Sequence, residues 1–301
     1  MDVLRVYQID AFTTQRYQGN PAGVVANAEG LEDARMQLIA RELNNSETAF
    51  ILPPRDDSHD VHVRFFSPTV EVPVCGHATV AAHYVLALEG GATGWRRQLT
   101  GAGVQHIETL QDDGEVRIAI EQGAPSFHPP LEPDLVAELA AALGVGEDAL
   151  DPRCPPQFVS TGHGKLLVGL RERASLLTLA PDPARLVALG ARVGTRGYFA
   201  FTLDMPEEGD ALTLGRMFAP AIGIAEDPVT GNANGPLGGY LVRHGLLDRS
   251  DGERRYRARQ TTAQGRGGWM DVVVRVEDGA PTGVRIEGRA VECFRTMLPR
   301  E

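Results

Sequence analysis

One short segment occurs twice in this chain, about half its length apart, and that repeat narrows the fold to two similar halves. The first copy reads Arg64-Phe65-Phe66-Ser67-Pro68, then Pro73-Val74-Cys75-Gly76-His77-Ala78, then an apolar run through Val80, Ala81, Ala82 and Tyr84. The second reads Arg216-Met217-Phe218-Ala219-Pro220, then Pro228-Val229-Thr230-Gly231-Asn232-Ala233, then Leu237 to Leu241. The offset is 152 residues at the first block (216 against 64) and 155 at the second (231 against 76), in a chain of 301. Each copy predicts a strand, a turn and a glycine that opens a helix of small residues. Such a helix start presents unpaired backbone N–H groups and the positive end of the helix dipole, which suits a carboxylate. A weaker echo, Gly19-Asn20-Pro21-Ala22-Gly23-Val24-Val25 against Gly162-His163-Gly164-Lys165-Leu166-Leu167-Val168, precedes each copy in the same order. The expectation is two α/β halves with a substrate gripped in the cleft between them.

Composition removes several classes of function. The net charge of −11 argues against a nucleic-acid partner, because phosphate binding needs a basic face. No apolar stretch approaches the roughly 20 residues that span a bilayer, and Met1 to Val6 reads straight into a strand, so a cytoplasmic protein is expected. Three widely spaced cysteines, Cys75, Cys154 and Cys293, make neither a disulfide framework nor a cysteine zinc site. Positive charge is almost all arginine. Lys165 is the only lysine, so a Schiff-base enzyme would have one candidate amine.

Periodicity predicts strands at 3–12, 22–26, 48–52, 61–66, 104–110 and 115–120, and helices at 31–43 and about 78–89. The Pro-rich stretch 125–133 marks the boundary between a first half, 1–123, and a second, 124–287. Beyond it come helices at 135–143 and 186–189, and strands at 157–160, 165–170, 197–203, 255–261, 269–276 and 283–288. The closing segment 288–301 could return to the first half. Loops 53–60, 157–164 and 204–212 are expected to shape a pocket.

Three residues could carry chemistry. Glu47 stands where the polar turn Asn44-Asn45-Ser46 enters the apolar strand Thr48 to Leu52. A carboxylate just inside a strand loses water and becomes a usable acid or base; an exposed strand-edge glutamate is the ordinary alternative. His77 opens the first small-residue helix, where it can exchange protons or only close the turn. Asp227, before Pro228, places an acid at the matching point of the second copy, unless it merely makes an Asp–Pro turn and caps a helix. Glu226 is the weaker candidate. Cys75 could be a thiol base at a helix start, but its repeat equivalent is Thr230, so a two-thiol racemase is incomplete and an inert thiol is expected. His59 and His62 lie in a polar loop, and His77 and His83 have no carboxylate or cysteine at ligand spacing, so no metal site is expected.

Together these stretches resemble the PhzF-like family, named for a phenazine-biosynthesis isomerase and sharing the diaminopimelate epimerase fold. The matching segments are Ile9-Asp10-Ala11-Phe12 with Gly19 to Val24, Asn45-Ser46-Glu47-Thr48-Ala49-Phe50, Phe65-Phe66-Ser67-Pro68, Cys75-Gly76-His77-Ala78-Thr79 and Asp227 to Ala233. The resemblance implies two pseudo-symmetric halves, each a highly curved, mostly antiparallel sheet around a central helix. It implies a homodimer and no metal or organic cofactor. It also implies that Glu47 moves the proton, supported by His77 and Asp227. Asn20, Ser46, Gly76, Gly231, Asn232 and Ala233 would then bind substrate. The chain departs from the phenazine enzyme at Asn232, where that enzyme has serine, and matches an asparagine branch of the family.

The expected function is a cofactor-independent isomerase shifting a proton within a small carboxylate-bearing substrate. Two rivals stand beside it: a single-thiol epimerase or racemase using Cys75, and a protein that binds a carboxylate metabolite without turning it over.

Overall fold

The N-terminal alternation becomes strand β1 (Val3–Ala11), which pairs antiparallel with β2 (Asn20–Val25) in the computed structural model of the chain. The structure describes residues 3–300 except 92, 113, 207 and 208. Met1 and Asp2, which lead into the expected first strand, Glu301 of the closing segment and two positions of loop 204–212 lie outside the described residues. The chain divides into unit 1, Met1–Glu121 with Glu287–Glu301, and unit 2, Gln122–Ile286.

In unit 1, α1 (Asp33–Leu43) stops at Asn44, whose φ of 53° is left-handed and whose N–H bonds Ala40 O. A short polar side chain tolerates that conformation, so the Asn44-Asn45 stop signal is a real C-cap. Strand β3 (Thr48–Leu52) lies parallel to β2, and β4 (Val61–Phe66) antiparallel to β3. The two-residue β5 (Glu71–Val72) leads into α2 (Gly76–Leu88), which starts at the motif glycine rather than at Ala78. Next come β6 (Gly94–Thr100), parallel to β4, then β7 (Gly103–Asp112) and β8 (Glu115–Gly123) as an antiparallel meander. Periodicity misses β6 because its buried positions are polar: Gln98 and Thr100 point inward where apolar residues would reveal a strand.

Side-chain alternation gives the sheet two apolar faces. On one, Ala78, Ala81, Ala82 and Val85 of α2 pack against Ile9, Val24, Ala49, Val63 and Phe65. On the other, Met36, Ile39 and Ala40 of α1 pack against Leu4, Val6, Val25, Phe50 and Phe66. A helix that is apolar all round is one that the fold encloses, and α2 is enclosed.

Unit 2 begins with β9 (Ser126–Pro130), a strand inside the Pro-rich stretch that the sequence reading marks only as a domain boundary. It continues with α3 (Pro133–Leu143), β10 (Gln157–Ser160), β11 (Lys165–Leu170), α4 (Arg173–Leu177) and α5 (Pro183–Val193). Strands β12 (Tyr198–Thr202), β13 (Thr213–Ala219) and β14 (Ile224–Asp227) precede α6 (Gly231–Arg243), and β15 (Gly252–Thr261) and β16 (Gly267–Glu277) follow. The pairings β10–β11 antiparallel, β11–β12 parallel, β12–β13 antiparallel, β13–β15 parallel and β15–β16 antiparallel repeat those from β1–β2 to β6–β7 in the same order. Two glycines bring α6 close to its neighbours. A Cβ at Gly238 would fall 2.8 Å from the side chains of Val272 and Val274, and one at Gly239 2.6 Å from Pro125. The last strand, β17 (Ala280–Pro299), ends in unit 1, where it pairs antiparallel with β1 from Val3↔Pro299 to Ala11↔Ala290.

Candidate active site

The turn after α1 delivers Ser46 and Glu47 to one place, and side chains hold it there. Gln8 of β1 and Asn45 exchange two amide hydrogen bonds, of 2.9 and 3.0 Å. Gly23 leaves the necessary room, since a Cβ there would lie 2.8 Å from Thr48 Oγ1 and 2.9 Å from Leu43 Cδ1. The Glu47 side chain is only 16% exposed, so the exposed-edge alternative does not hold. Its Oε2 lies 3.4 Å from His77 Nε2, and Ser46 Oγ lies 3.3 Å from the same nitrogen.

The opposite ring nitrogen has a different neighbour. Cys75 Sγ lies 3.4 Å from His77 Nδ1, and both residues are buried. The sequence reading expects an inert thiol; the structure gives that thiol an imidazole neighbour, the arrangement of an acid–base pair. A protonated ring can donate to the carboxylate on one side and the sulfur on the other; a neutral ring donates on one side only. Glu47, Cys75 and His77 also offer ligand atoms that all lie within 4.8 Å of one another. No search of local spacing finds this nitrogen, sulfur and oxygen set, because Glu47 arrives from a distant turn. It is a donor combination that zinc accepts. The other histidines stay apart: His62 is a buried residue of β4, and His59 accepts from the Arg55 N–H at 2.9 Å.

Helix α2 begins with Cys75 as an extended N-cap. Among the described residues, no acceptor meets the N–H groups of Gly76, His77 and Ala78, and a Cβ at Gly76 would meet nothing within 4 Å. Behind them runs a buried polar chain. Thr79 Oγ1 donates to Cys75 O at 2.7 Å, Gln98 Nε2 donates to Thr79 Oγ1 at 3.3 Å, and Gln98 Oε1 stands 2.9 Å from His83 Nε2. Burial pulls the His83 pKa down to about 4, so the ring is neutral and donates its Nε2–H to Gln98.

In unit 2, Asp227 is the last residue of β14 and pairs with Met217; Thr230, rather than Asp227, is the N-cap of α6. Thr230 Oγ1 donates to Asp227 Oδ2. Gln260, buried on β15, donates to Asp227 O at 2.7 Å and accepts from Thr230 N–H at 2.8 Å. Asn234 Nδ2 donates to Thr230 O and to Gln260 Oε1, each at 3.0 Å. The N–H groups of Gly231 and Asn232 meet no acceptor among the described residues, whereas that of Ala233 is already given to Thr230 O at 3.2 Å. Gln122 Nε2 donates to Gly231 O at 3.2 Å and approaches Asn232 Oδ1 at 3.5 Å. Asn20 is buried at the head of β2, opposite Ala11. Glu226 has a structural partner instead: Arg216 binds both its oxygens, at 2.6 and 3.2 Å. Sequence reasoning missed Gln98, Gln122 and Gln260, since a single glutamine in a strand carries no pattern.

The family model described as phenazine biosynthesis-like protein matches residues 9–296. The chain belongs to this family. Within it, the Escherichia coli protein named uncharacterized isomerase YddE is 47% identical over 293 residues, covering 96% of each chain. The trans-2,3-dihydro-3-hydroxyanthranilate isomerase of Pseudomonas aeruginosa is 32% identical over 245 residues, covering 80% of each. The solved structure of a Bacillus anthracis phenazine biosynthesis protein of the PhzF family superposes with a TM-score of 0.90 at 29% identity, covering 99% of this chain and 100% of that one. The chain is thus an isomerase with the expected strand-rich, diaminopimelate epimerase-like fold, and the binding-only reading falls away. Among the described residues no helix is long and apolar enough to cross a membrane.

Proposed function

We propose that this isomerase moves a proton within a small carboxylate-bearing substrate by acid–base catalysis at Glu47, without a metal or organic cofactor. The observation that carries the reading is the placement of the Glu47 carboxylate: mostly shielded, 3.4 Å from His77 Nε2, in the same unit as a helix start with unengaged N–H groups. The carboxylate takes a proton from a carbon α or vinylogous to the substrate's carboxylate, and the electron pair moves into the conjugated system. The same group, now a carboxylic acid, returns the proton to a second carbon. His77 holds the carboxylate in place, and helix-start amides stabilise the negative charge that develops. That Asp227 serves the same substrate is part of the proposal and rests on the duplicated sequence. So do an origin by internal duplication, a homodimeric assembly and a cytoplasmic setting, which the family resemblance supports.

The test is solvent exchange. Wild-type enzyme incubated with a metabolite mixture in deuterated water labels the acid it isomerises, and mass spectrometry reads the label. Glu47→Gln is expected to keep its fold and lose labelling by about 10²–10⁴-fold. Exchange at the wild-type rate would remove Glu47 as the base. The contact between Cys75 Sγ and His77 Nδ1 favours a second reading, in which the thiol takes one of the two proton transfers. Cys75→Ala with unchanged turnover would exclude it.

A further inference from the structure

The single lysine of the chain has a place in unit 2 that the proposed chemistry leaves unused. Lys165 opens β11, paired with Val159, directly after the Gly162-His163-Gly164 turn. Its stem crosses Gly197, where an added Cβ would fall 2.7 Å from Lys165 Cδ and 2.5 Å from Met217 Cε. Gly197 has no positive φ, so its backbone does not require glycine; the close passage of the lysine and methionine does. Met217 in turn pairs with Asp227 on the next strand. The fold therefore opens a track that leads the lysine stem over β12 and against β13, one strand short of the site acid.

The ammonium is poorly served where it stands. It has three donors, and its contacts are two long ones to neutral carbonyls, Gly164 O at 3.4 Å and His163 O at 3.5 Å. Among the described residues no carboxylate lies within 4.0 Å of it. Burial lowers its pKa, and the negative charge of Asp227 acts from farther off to raise it. A cation drawn partly out of water with only two long carbonyl contacts is costly unless something anionic joins it.

We propose that Lys165 is a ligand-binding residue of the Asp227 half-site, its ammonium taking the carboxylate of a small acid. The inference rests on the reading that Asp227 belongs to the substrate site. Lys165 sets specificity for the charged oxygen pair, and the neutral amide of the same acid is rejected because it supplies no charge to the ammonium.

One lysine makes the experiment direct. Protein grown with ¹³C,¹⁵N-lysine shows a single Cε–Nζ signal, which is followed while benzoate, anthranilate and crotonate are added, each against its carboxamide. At least one carboxylate is expected to shift the signal saturably and to raise the pH at which the amine titrates, with no response to the amides. Lys165→Met is expected to weaken that carboxylate by about tenfold or more, and Lys165→Arg to retain part of the affinity. Asp227→Asn is expected to lower the titration of the amine while leaving its response to carboxylate. A signal that ignores every carboxylate at millimolar concentration, or follows amides equally, overturns the proposal and leaves Lys165 as the counter-charge of Asp227. Deuterium exchange in Glu47→Gln judges the isomerase reading separately.

Discussion

At the start of α2, Cys75 O accepts the hydroxyl of Thr79; at the start of α6, Thr230 O accepts the side-chain amide of Asn234, 155 residues further on. A buried glutamine on the parallel strand stands behind each, Gln98 on β6 and Gln260 on β15. The arginines of the two repeats pair with Glu71 and Glu226 and stack on Phe66 and Phe218, both at 5.1 Å. The equipment of the two helix starts then diverges. The first gathers a thiol, an imidazole and a carboxylate within 4.8 Å of one another, and the second has a carboxylate bonded to a threonine hydroxyl. The support differs too. Gln260 grips main chain at Asp227 and Thr230, whereas Gln98 touches only side chains, one of them the titratable His83. A repeated backbone can thus keep its geometry while one copy gathers acid–base side chains and the other braces its carboxylate through main-chain contacts.

The sharpest way to break that contrast is kinetic. Glu47→Gln is expected to lower deuterium exchange by about 10³-fold, on the order of 4 kcal/mol, and Asp227→Asn by only about 10–100-fold. Equal losses would mean that both copies transfer protons. Next in size comes the arginine pair. The Arg216 side chain is 3% exposed and also donates to Leu176 O, Leu177 O and Leu179 O, so Arg216→Met strips those carbonyls of this donor and leaves the Glu226 carboxylate with the Ala263 N–H alone in place of its counter-charge. A loss of about 3–5 kcal/mol in urea unfolding is expected there, against about 1 kcal/mol or less for Arg64→Met, whose partners Asp33 and Glu71 face solvent. For the glutamines, Gln260→Leu is expected to cost about 2–3 kcal/mol and Gln98→Leu about 1–2, because only the former abandons backbone groups. A reversed order would show that the His83 chain is the stronger brace.

The remaining effect concerns pH. The His83 pKa is held near 4 in the folded chain against 6.5 when unfolded, so below about pH 6.5 the unfolded chain binds a proton that the native one refuses. Stability contributed by the neutral ring is fully present above that value and is lost as pH falls toward 4, at up to about 1.4 kcal/mol per pH unit. Thermal melts of His83→Gln are expected to show a flatter acid limb. An unchanged slope would move the acid sensitivity to another buried group, such as His62, whose pKa burial also lowers to about 4.

Much of this was legible in the chain of letters. The repeat announced two similar halves because a strand, a turn and a small-residue helix each leave a local signature: period two, a proline or glycine, and apolar residues on every face. Asn44 stopped α1 where local chemistry said it would, and Glu47 stood out by interrupting an apolar strand entrance. What local pattern cannot encode is adjacency across long sequence distance. The contact of Cys75 with His77 depends on ring rotation at a helix start, the closeness of Glu47 on a turn locked by Gln8 and Asn45, and the track of Lys165 on the empty face of Gly197. The glutamines behind the helix starts were silent, since a polar residue in a strand reads as exposed until packing buries it. The sequence by itself determined that a strand, a turn and a small-residue helix form twice, while strands with polar or proline-rich faces, β6 and β9, stayed hidden. Tertiary packing decided which polar atoms lose water together, and reactivity depends on that because the cost of burying an unpaired donor or charge is set by its neighbours in space.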